Sequence, residues 1–332
     1  MNPLSDSLIQ IESWLSEDDE RSLANDVLDG LTKPFKELAP KHFYDARGSE
    51  LFEQITEQPE YYPTRTELAI LRDHATEIAG DAGELVELGA GASDKARLLL
   101  DAMTATDNLR RYIPLDVSAT VVEAAARTLT EDYPGLQVHG VIGDFERHLE
   151  HVPAAEGTPR VVALLGGTIG NFPPGTRRNV LSKIATLLTG EDRLLLGTDL
   201  VKDPVVIEAA YNDAAGVTAE FNRNLLHVVN RELDADFAPE TFEHVAFYDR
   251  RHEWVEMRLR STRASSVRVG DLDLRVEFAP GEEMRTEISA KFTRRHVEAD
   301  LRAAGLELTG WFTDPEALFG LSVSRPRQQA DR

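Results

Sequence analysis

The chain has 332 residues, 58 of them acidic and 36 basic, giving a formal net charge of −22, and it contains no cysteine. Disulfides, thiolate metal sites and thiol nucleophiles are thereby excluded, and a phosphate-backbone substrate would be repelled over most approach directions. No apolar run approaches a membrane span and no basic-then-apolar segment opens the chain, so the expectation is a cytoplasmic protein acting on a small molecule, without nucleic-acid or membrane partners.

Residues 1–30 carry amphipathic helical patterning and an acidic run, Glu17-Asp18-Asp19-Glu20, of the kind that covers a solvated surface. From 33 to 67 the character changes. Pro34 and Pro40 punctuate the chain, and Phe43-Tyr44, Phe52 and Tyr61-Tyr62 then crowd a sequence poor in aromatics. Phe43 and Tyr62 read as packing residues. Tyr44, Phe52 and Tyr61 read equally as a pocket wall, because tyrosine joins an apolar body to a polar tip.

From about 65 to 201 strand and helix alternate, the pattern of a mostly parallel sheet. An apolar run, Leu85-Val86-Glu87-Leu88, leads into Gly89-Ala90-Gly91, and Ser93 is placed to cap the helix that follows. Glycines there permit a tight turn and the close approach of a ligand, as at the first strand of a doubly wound sheet. Asp94 stands where a dinucleotide fingerprint needs glycine. What remains, acidic-x-Gly-x-Gly from Glu87 to Gly91, resembles the first motif of Rossmann-like S-adenosylmethionine (SAM) methyltransferases. The second strand, 111–116, ends in Asp116, placed to accept both hydroxyls of a ribose. The third, 136–141, leads to Asp144-Phe145, a carboxylate and an aromatic suited to adenine. Each acid alone could instead be a helix cap. The fourth strand, 161–165, enters a glycine-rich turn holding Gly166 and Asn171 before a proline-started helix; asparagine after glycine is also a common turn residue. The fifth, 193–198, ends at Asp199. His148 and His151 have helical spacing but no carboxylates to complete a ligand set, so no metal is expected.

Residues 202–291 break the alternation. Helical patterning through Tyr211 to Leu226 gives way to strand-like runs at 243–248, 253–260 and 266–278, which reads as an inserted α+β unit. A helix at 294–304 and strands at 306–312 and 319–323 then return to the sheet as an antiparallel edge hairpin, and the tail from Arg325 is polar. The expected division is 65–201 with 292–325, and 19–64 with 202–291, leaving 1–18 and 326–332 as terminal segments.

Six stretches carry a more specific likeness: Phe43-Tyr44-Asp45, Gly48-Ser49-x-Leu51-Phe52, 59–65, Gly167-Thr168-Ile169-Gly170-Asn171, 213–218, and Thr286-Glu287-x-Ser289-x-Lys291-Phe292. In their number and order they resemble the histidine Nα-methyltransferases of ergothioneine biosynthesis across nearly the whole chain. The resemblance implies an α/β fold: a Rossmann-like class I SAM-dependent methyltransferase sheet with an inserted α+β substrate-binding domain. It implies three methyl transfers from SAM to the α-amine of L-histidine, giving hercynine, by a monomer without metal. Carried over, Gly89, Lys95, Asp116, Asp144 and Phe145 hold SAM. Tyr61, Phe52, Gly166, Asn171, Tyr211, Met257, Glu287 and Ser289 hold histidine, and Tyr44 and Asn171 act on the amine. Gly167 departs from the serine expected in close relatives, the stretch 79–84 is shorter than usual, and the loop around Glu156 is longer.

The residues agree on their own terms. Glu287 and Ser289 lie two apart in a strand-like run, so their side chains leave one face and can bond the two nitrogens of an imidazole. A phenyl or indole ring would leave that pair unsatisfied. Met257 fills the apolar side of such a pocket, or is plain core. The alternatives are an Nα-methyltransferase for another aromatic amino acid such as tryptophan, which the acid at 287 opposes, and a non-catalytic SAM-binding or protein-methylating module.

Overall fold

The computed structural model describes residues 8–15, 17–91 and 93–327. The outer parts of the expected terminal segments, 1–7 and 328–332, lie outside the described residues. In chain order the main elements are β1 (Ile9–Ser13), α1 (Glu17–Thr32), α2 (Ala46–Thr56), α3 (Tyr62–Ala79), β2 (Glu84–Leu88), α4 (Asp94–Ala105), β3 (Arg111–Asp116), α5 (Ala119–Asp132), β4 (Gln137–Ile142), β5 (Arg160–Leu164), α6 (Pro174–Ala185) and β6 (Arg193–Asp199). There follow α7 (Pro204–Ala210), α8 (Val217–Glu232), β7 (Phe242–Asp249), β8 (Trp254–Ser261), β9 (Ser265–Val269), β10 (Leu274–Phe278), β11 (Glu283–Ala290), α9 (Arg294–Ala303), β12 (Leu306–Thr313) and β13 (Phe319–Pro326). The chain divides into two compact units: 1–15, 65–200 and 292–332 form the first, and 16–64 and 201–291 the second.

The first unit is built on one eight-stranded sheet in the order β1-β4-β3-β2-β5-β6-β13-β12. The strands from β1 to β6 pair parallel, and β13 runs antiparallel to both β6 and β12. Because β3 and β5 flank β2 on opposite sides, chain order reverses there, and such a switch point opens a crevice at the carboxyl ends of the strands. All five residues of β2 and of β5 are buried, as expected of parallel strands covered by helices on both faces. Leu85, Leu99, Tyr112, Val161, Leu195 and Phe319 belong to the core.

Two local expectations need correction. The helical reading of 1–30 fails at Ile9–Ser13, which pairs parallel with β4 as an added edge strand. Ile9 and Ile11 pack on the core; two alternating apolar residues are too short a period-2 signal to outweigh the longer helical pattern around them. Ser93 precedes α4 but adopts φ 59°, and its hydroxyl makes no cap. The run 266–278 is two strands, β9 and β10, paired antiparallel around a 3-10 turn at Gly270–Leu272.

At the amino end of the central strands, buried Glu84 accepts from Arg111 at 3.1 Å and Arg160 at 2.7 Å, and from the backbone N–H of Glu156 at 2.7 Å. The loop around Glu156 is thus tied to the sheet through charge-assisted bonds. In the second unit, β11, β8 and β7 form an antiparallel sheet, and α8 packs on α2 and β7. The β11–β8 register shifts between Arg285 and Glu287.

Candidate active site

In the first unit the turn after β2 is made of Gly89 at φ 80° and Gly91 at φ 46°, a region costly for residues with a Cβ. A Cβ on Gly89 would meet nothing within 4 Å. The Gly89 amide bonds the Leu115 carbonyl at 2.8 Å, which ties the turn to the end of β3. There the Asp116 carboxylate accepts from the Ser118 amide at 2.8 Å, and the amides of Ala90, Gly91 and Val117 also face it. Burial raises its pKa while those amides favour the ionised form. Asp144, at the end of β4, accepts from the Glu146 amide and gives its own amide to Nδ1 of His148. Phe145 meets Phe172 edge to face at 6.1 Å.

Glu87 plays a different part from the other two strand-end acids. It is buried against the Tyr112 hydroxyl, and desolvation pushes its carboxyl up to about 8. At neutral pH it is a protonated structural acid.

Lys95 and Gly166 are joined by a residue to which the sequence reading assigned no role. The fully buried Glu67 of α3 pairs with Lys95 at 2.6 Å, and both its oxygens lie 3.0 Å from the Gly166 amide. A Cβ on Gly197 would come within 2.2 Å of Glu67, so glycine at that point of β6 makes room for the carboxylate. The only sequence hint was an acid among apolar helix positions. Gly166 and Gly167 both take positive φ, and Asn171 ends the 3-10 turn they open. Gly167 thus occupies a left-handed position that suits glycine.

A glycine-rich turn, a strand-end carboxylate ringed by amides and a second strand-end acid followed by an aromatic residue lie at the carboxyl ends of β2, β3 and β4. These are Gly89, Asp116, Asp144 and Phe145, with Lys95 at the start of α4.

The second unit gathers the remaining residues. Glu287 and Ser289 lie on β11, and Met257, 2% exposed, is the cross-strand partner of Glu287. Glu287 is only partly exposed, and desolvation raises its carboxyl to about 7 against the pull of the Lys291 charge. The hydroxyl oxygens of Ser289 and Tyr211 are 2.7 Å apart, and Lys291 Nζ lies 2.9 Å from each. Tyr211 ends α7 and is held from behind. Asn222 gives its amide hydrogens to the Arg258 carbonyl and to Nδ1 of His244, so Nε2 of His244 carries the hydrogen donated to the Tyr211 carbonyl at 2.8 Å. Burial lowers the His244 pKa and keeps the ring neutral. The stretch 213–218 is structural: the Asp213 carboxylate accepts from the Val217 and Thr218 amides and starts α8.

Tyr44, Phe52 and Tyr61 form a chain of edge-to-face rings, Tyr44 to Phe52 at 5.6 Å and Phe52 to Tyr61 at 6.1 Å. Phe221 of α8, passed over in the sequence, touches Phe43, Tyr44 and Phe52. Its helical spacing looks like ordinary core, which hides this role. Asp45 supports the segment by capping α2 and accepting from Asn224 at 2.8 Å.

Residues 23–326 match the family described as histidine-specific methyltransferase, SAM-dependent. The chain is 52% identical over 319 residues to a histidine N-alpha-methyltransferase of Mycolicibacterium smegmatis, covering 95% of this chain and 99% of that one. It is 49% identical, with the same coverage, to the histidine N-alpha-methyltransferase of Mycobacterium tuberculosis. Ergothioneine biosynthesis protein 1 of Neurospora crassa is 34% identical over 59% of this chain and 23% of its own length. The chain belongs to the family of SAM-dependent, histidine-specific methyltransferases.

Proposed function

We propose that this chain methylates the α-amine of L-histidine three times with SAM, giving hercynine, the first step of ergothioneine biosynthesis. The observation that carries the reading is the row Glu287, Ser289 and Lys291 on and just after β11, with Tyr211 in contact. An acid and a hydroxyl two residues apart on one strand face match the two nitrogens of an imidazole, and Met257 supplies an apolar wall.

Bound SAM supplies an electrophilic methyl on a sulfonium. In each round the amine nitrogen forms the new N–C bond as the S–C bond breaks, leaving a neutral thioether, and the amine sheds one proton before the next round. The residues therefore need mainly to orient, and fixing reactants in line is worth on the order of 7–11 kcal/mol in favourable systems. Asn171 orients the amine, and Tyr211 with Tyr61 holds the carboxylate. Tyr44, 44% exposed, takes the amine proton directly or passes it to water. As methyls accumulate, the aromatic faces of Tyr44, Phe52 and Tyr61 attract the growing cation. Gly89, Lys95, Asp116, Asp144 and Phe145 hold SAM, and Gly166, tied like Lys95 to Glu67, lines the histidine pocket. The protein works as a monomer in the cytoplasm on free amino acid, and its charge of −22 keeps nucleic acid away. Among the described residues no helix is long and apolar enough to cross a membrane.

Mass spectrometry after incubation with SAM and histidine tests this: products should gain one, two and then three methyls. Tryptophan outcompeting histidine, or SAM binding with no methylated amino acid, would reject it.

A further inference from the structure

Glu67 of α3 is 0% exposed, yet no part in binding or chemistry falls to it. Burying a carboxylate is costly unless donors meet its oxygens. Here the two donors come from two different turns. Lys95 Nζ, from the start of α4, lies 2.6 Å from one oxygen, and the Gly166 amide, just after β5, lies 3.0 Å from both. The donors are themselves neighbours: a Cβ on Gly166 would stand 3.4 Å from Lys95 Nζ. Glu87 also feels the Lys95 charge, but burial pushes it up to about 8 and it pairs with the Tyr112 hydroxyl, so the carboxylate that holds the ammonium is Glu67. The end of the sheet is shaped around this contact. A Cβ on Gly197 of β6 would fall 2.2 Å from the Glu67 carboxylate and 3.3 Å from the buried Phe319 ring, and that ring lies 3.8 Å from a Cβ on Gly167.

We propose that Glu67 is a positioning residue for the methyl transfer: one carboxylate on α3 fixes Lys95 beside the turn after β2 and also fixes the turn after β5, which carries Gly166 and Asn171, and so keeps the SAM-binding and the histidine-binding residues of this unit in register. This inference rests on the reading above, in which Lys95 meets SAM and Gly166 and Asn171 meet histidine. The strands that feed the two turns, β2 and β5, are paired neighbours, so a single side chain can reach both. Both partners donate, so both oxygens must accept, and a carboxylate does so through charge-assisted bonds of set geometry. The hold on Gly166 extends to Asn171 through the turn itself. The Thr168 hydroxyl bonds the Leu165 carbonyl at 2.9 Å and the Gly170 amide bonds the Gly167 carbonyl at 2.8 Å, which makes 165–171 one hydrogen-bonded piece.

Two variants move the carboxylate and keep its charge. Glu67→Asp withdraws it by one methylene, about 1.5 Å. Gly197→Ala displaces it from the β6 side, because an alanine Cβ cannot stand 2.2 Å from it. For each, calorimetry gives the dissociation constant of S-adenosylhomocysteine, and turnover at saturating SAM gives kcat and the histidine KM, all well below the melting temperature of the variant. Both constants should rise about three- to tenfold, the weight of one lost hydrogen bond. The kcat should fall about 10²-fold, as for reactants misplaced by about 1 Å. Should Glu67→Asp fail to fold, Gly197→Ala carries the same test, since strand backbone at 197 accepts alanine. A folded variant with a lowered melting temperature but either constant at its wild-type value would overturn the proposal, because Glu67 would then be a stabilising acid or the anchor of one turn alone. If the unaltered protein binds S-adenosylhomocysteine but methylates no histidine, the histidine reading falls and this inference with it. Wild-type methylation of histidine beside unresponsive variants defeats this inference only.

Discussion

Around the glycine turn of the first unit the polar groups are largely backbone, with amides around Asp116 and positive-φ glycines at 89 and 91, beside the carboxylates at the ends of β3 and β4. On β11 of the second unit they are side chains, Glu287, Ser289 and Lys291, joined by Tyr211 from the end of α7. The first arrangement follows from sheet topology and suits a ligand shared by many enzymes. The second is made of side chains that contact one another. Selectivity should therefore be concentrated in the second unit, and tolerance to substitution should differ between the two.

The sharpest break of that comparison is Glu287→Leu. Sites built to hydrogen-bond a polar ring reject an analogue lacking it by about 10⁴ in kcat/KM, so the preference for histidine over phenylalanine should collapse while SAM affinity, read by calorimetry, is unchanged. A loss of SAM binding instead would mean that the two sets of residues are not separable. Next is Glu67→Ala, which strands Lys95 and the Gly166 amide. Removing one partner of a buried ion pair costs about 3–5 kcal/mol, and chemical denaturation should record a loss of that order. Asn171→Ala should lower kcat about 10²- to 10³-fold, the cost of one lost orienting hydrogen bond at a reacting centre, with SAM affinity intact; undiminished turnover would remove Asn171 from the chemistry. The smallest effect concerns Glu87. Its folded pKa of about 8 lies above the ordinary carboxylate value of 4.5, so the folded state binds the extra proton and stability falls as pH rises between those values. Glu87→Gln should flatten that fall, raising the melting temperature at pH 8 by a few degrees more than at pH 5.

Most of the sheet could be read from the chain because buried parallel strands are short apolar runs ended by glycine or an acid, as at Leu85–Gly91 and 111–116. β1 could not, since its pairing with β4 is long-range and only two of its side chains pack on the core. Ser93 looked like a cap because its residue type favours one, but its left-handed backbone turns the hydroxyl away from that use. The resemblance pointed to Glu287 and Ser289, whose type and spacing agree with it, while the contacts of Glu67, Phe221 and Lys291 stayed hidden. An acid in a helix, a phenylalanine at helical spacing and a lysine after a strand all have commoner explanations.

The sequence by itself determined the parallel sheet, the switch-point turn and the family, because each is written in local pattern or in short ordered motifs. Only the tertiary structure decided which buried charges meet: Glu67 with Lys95, Glu84 with Arg111 and Arg160, and Lys291 with two hydroxyls. The reason is physical. A strand's burial is an average over its own residues, but a hydrogen bond depends on placing particular atoms from distant segments to within a few tenths of an ångström.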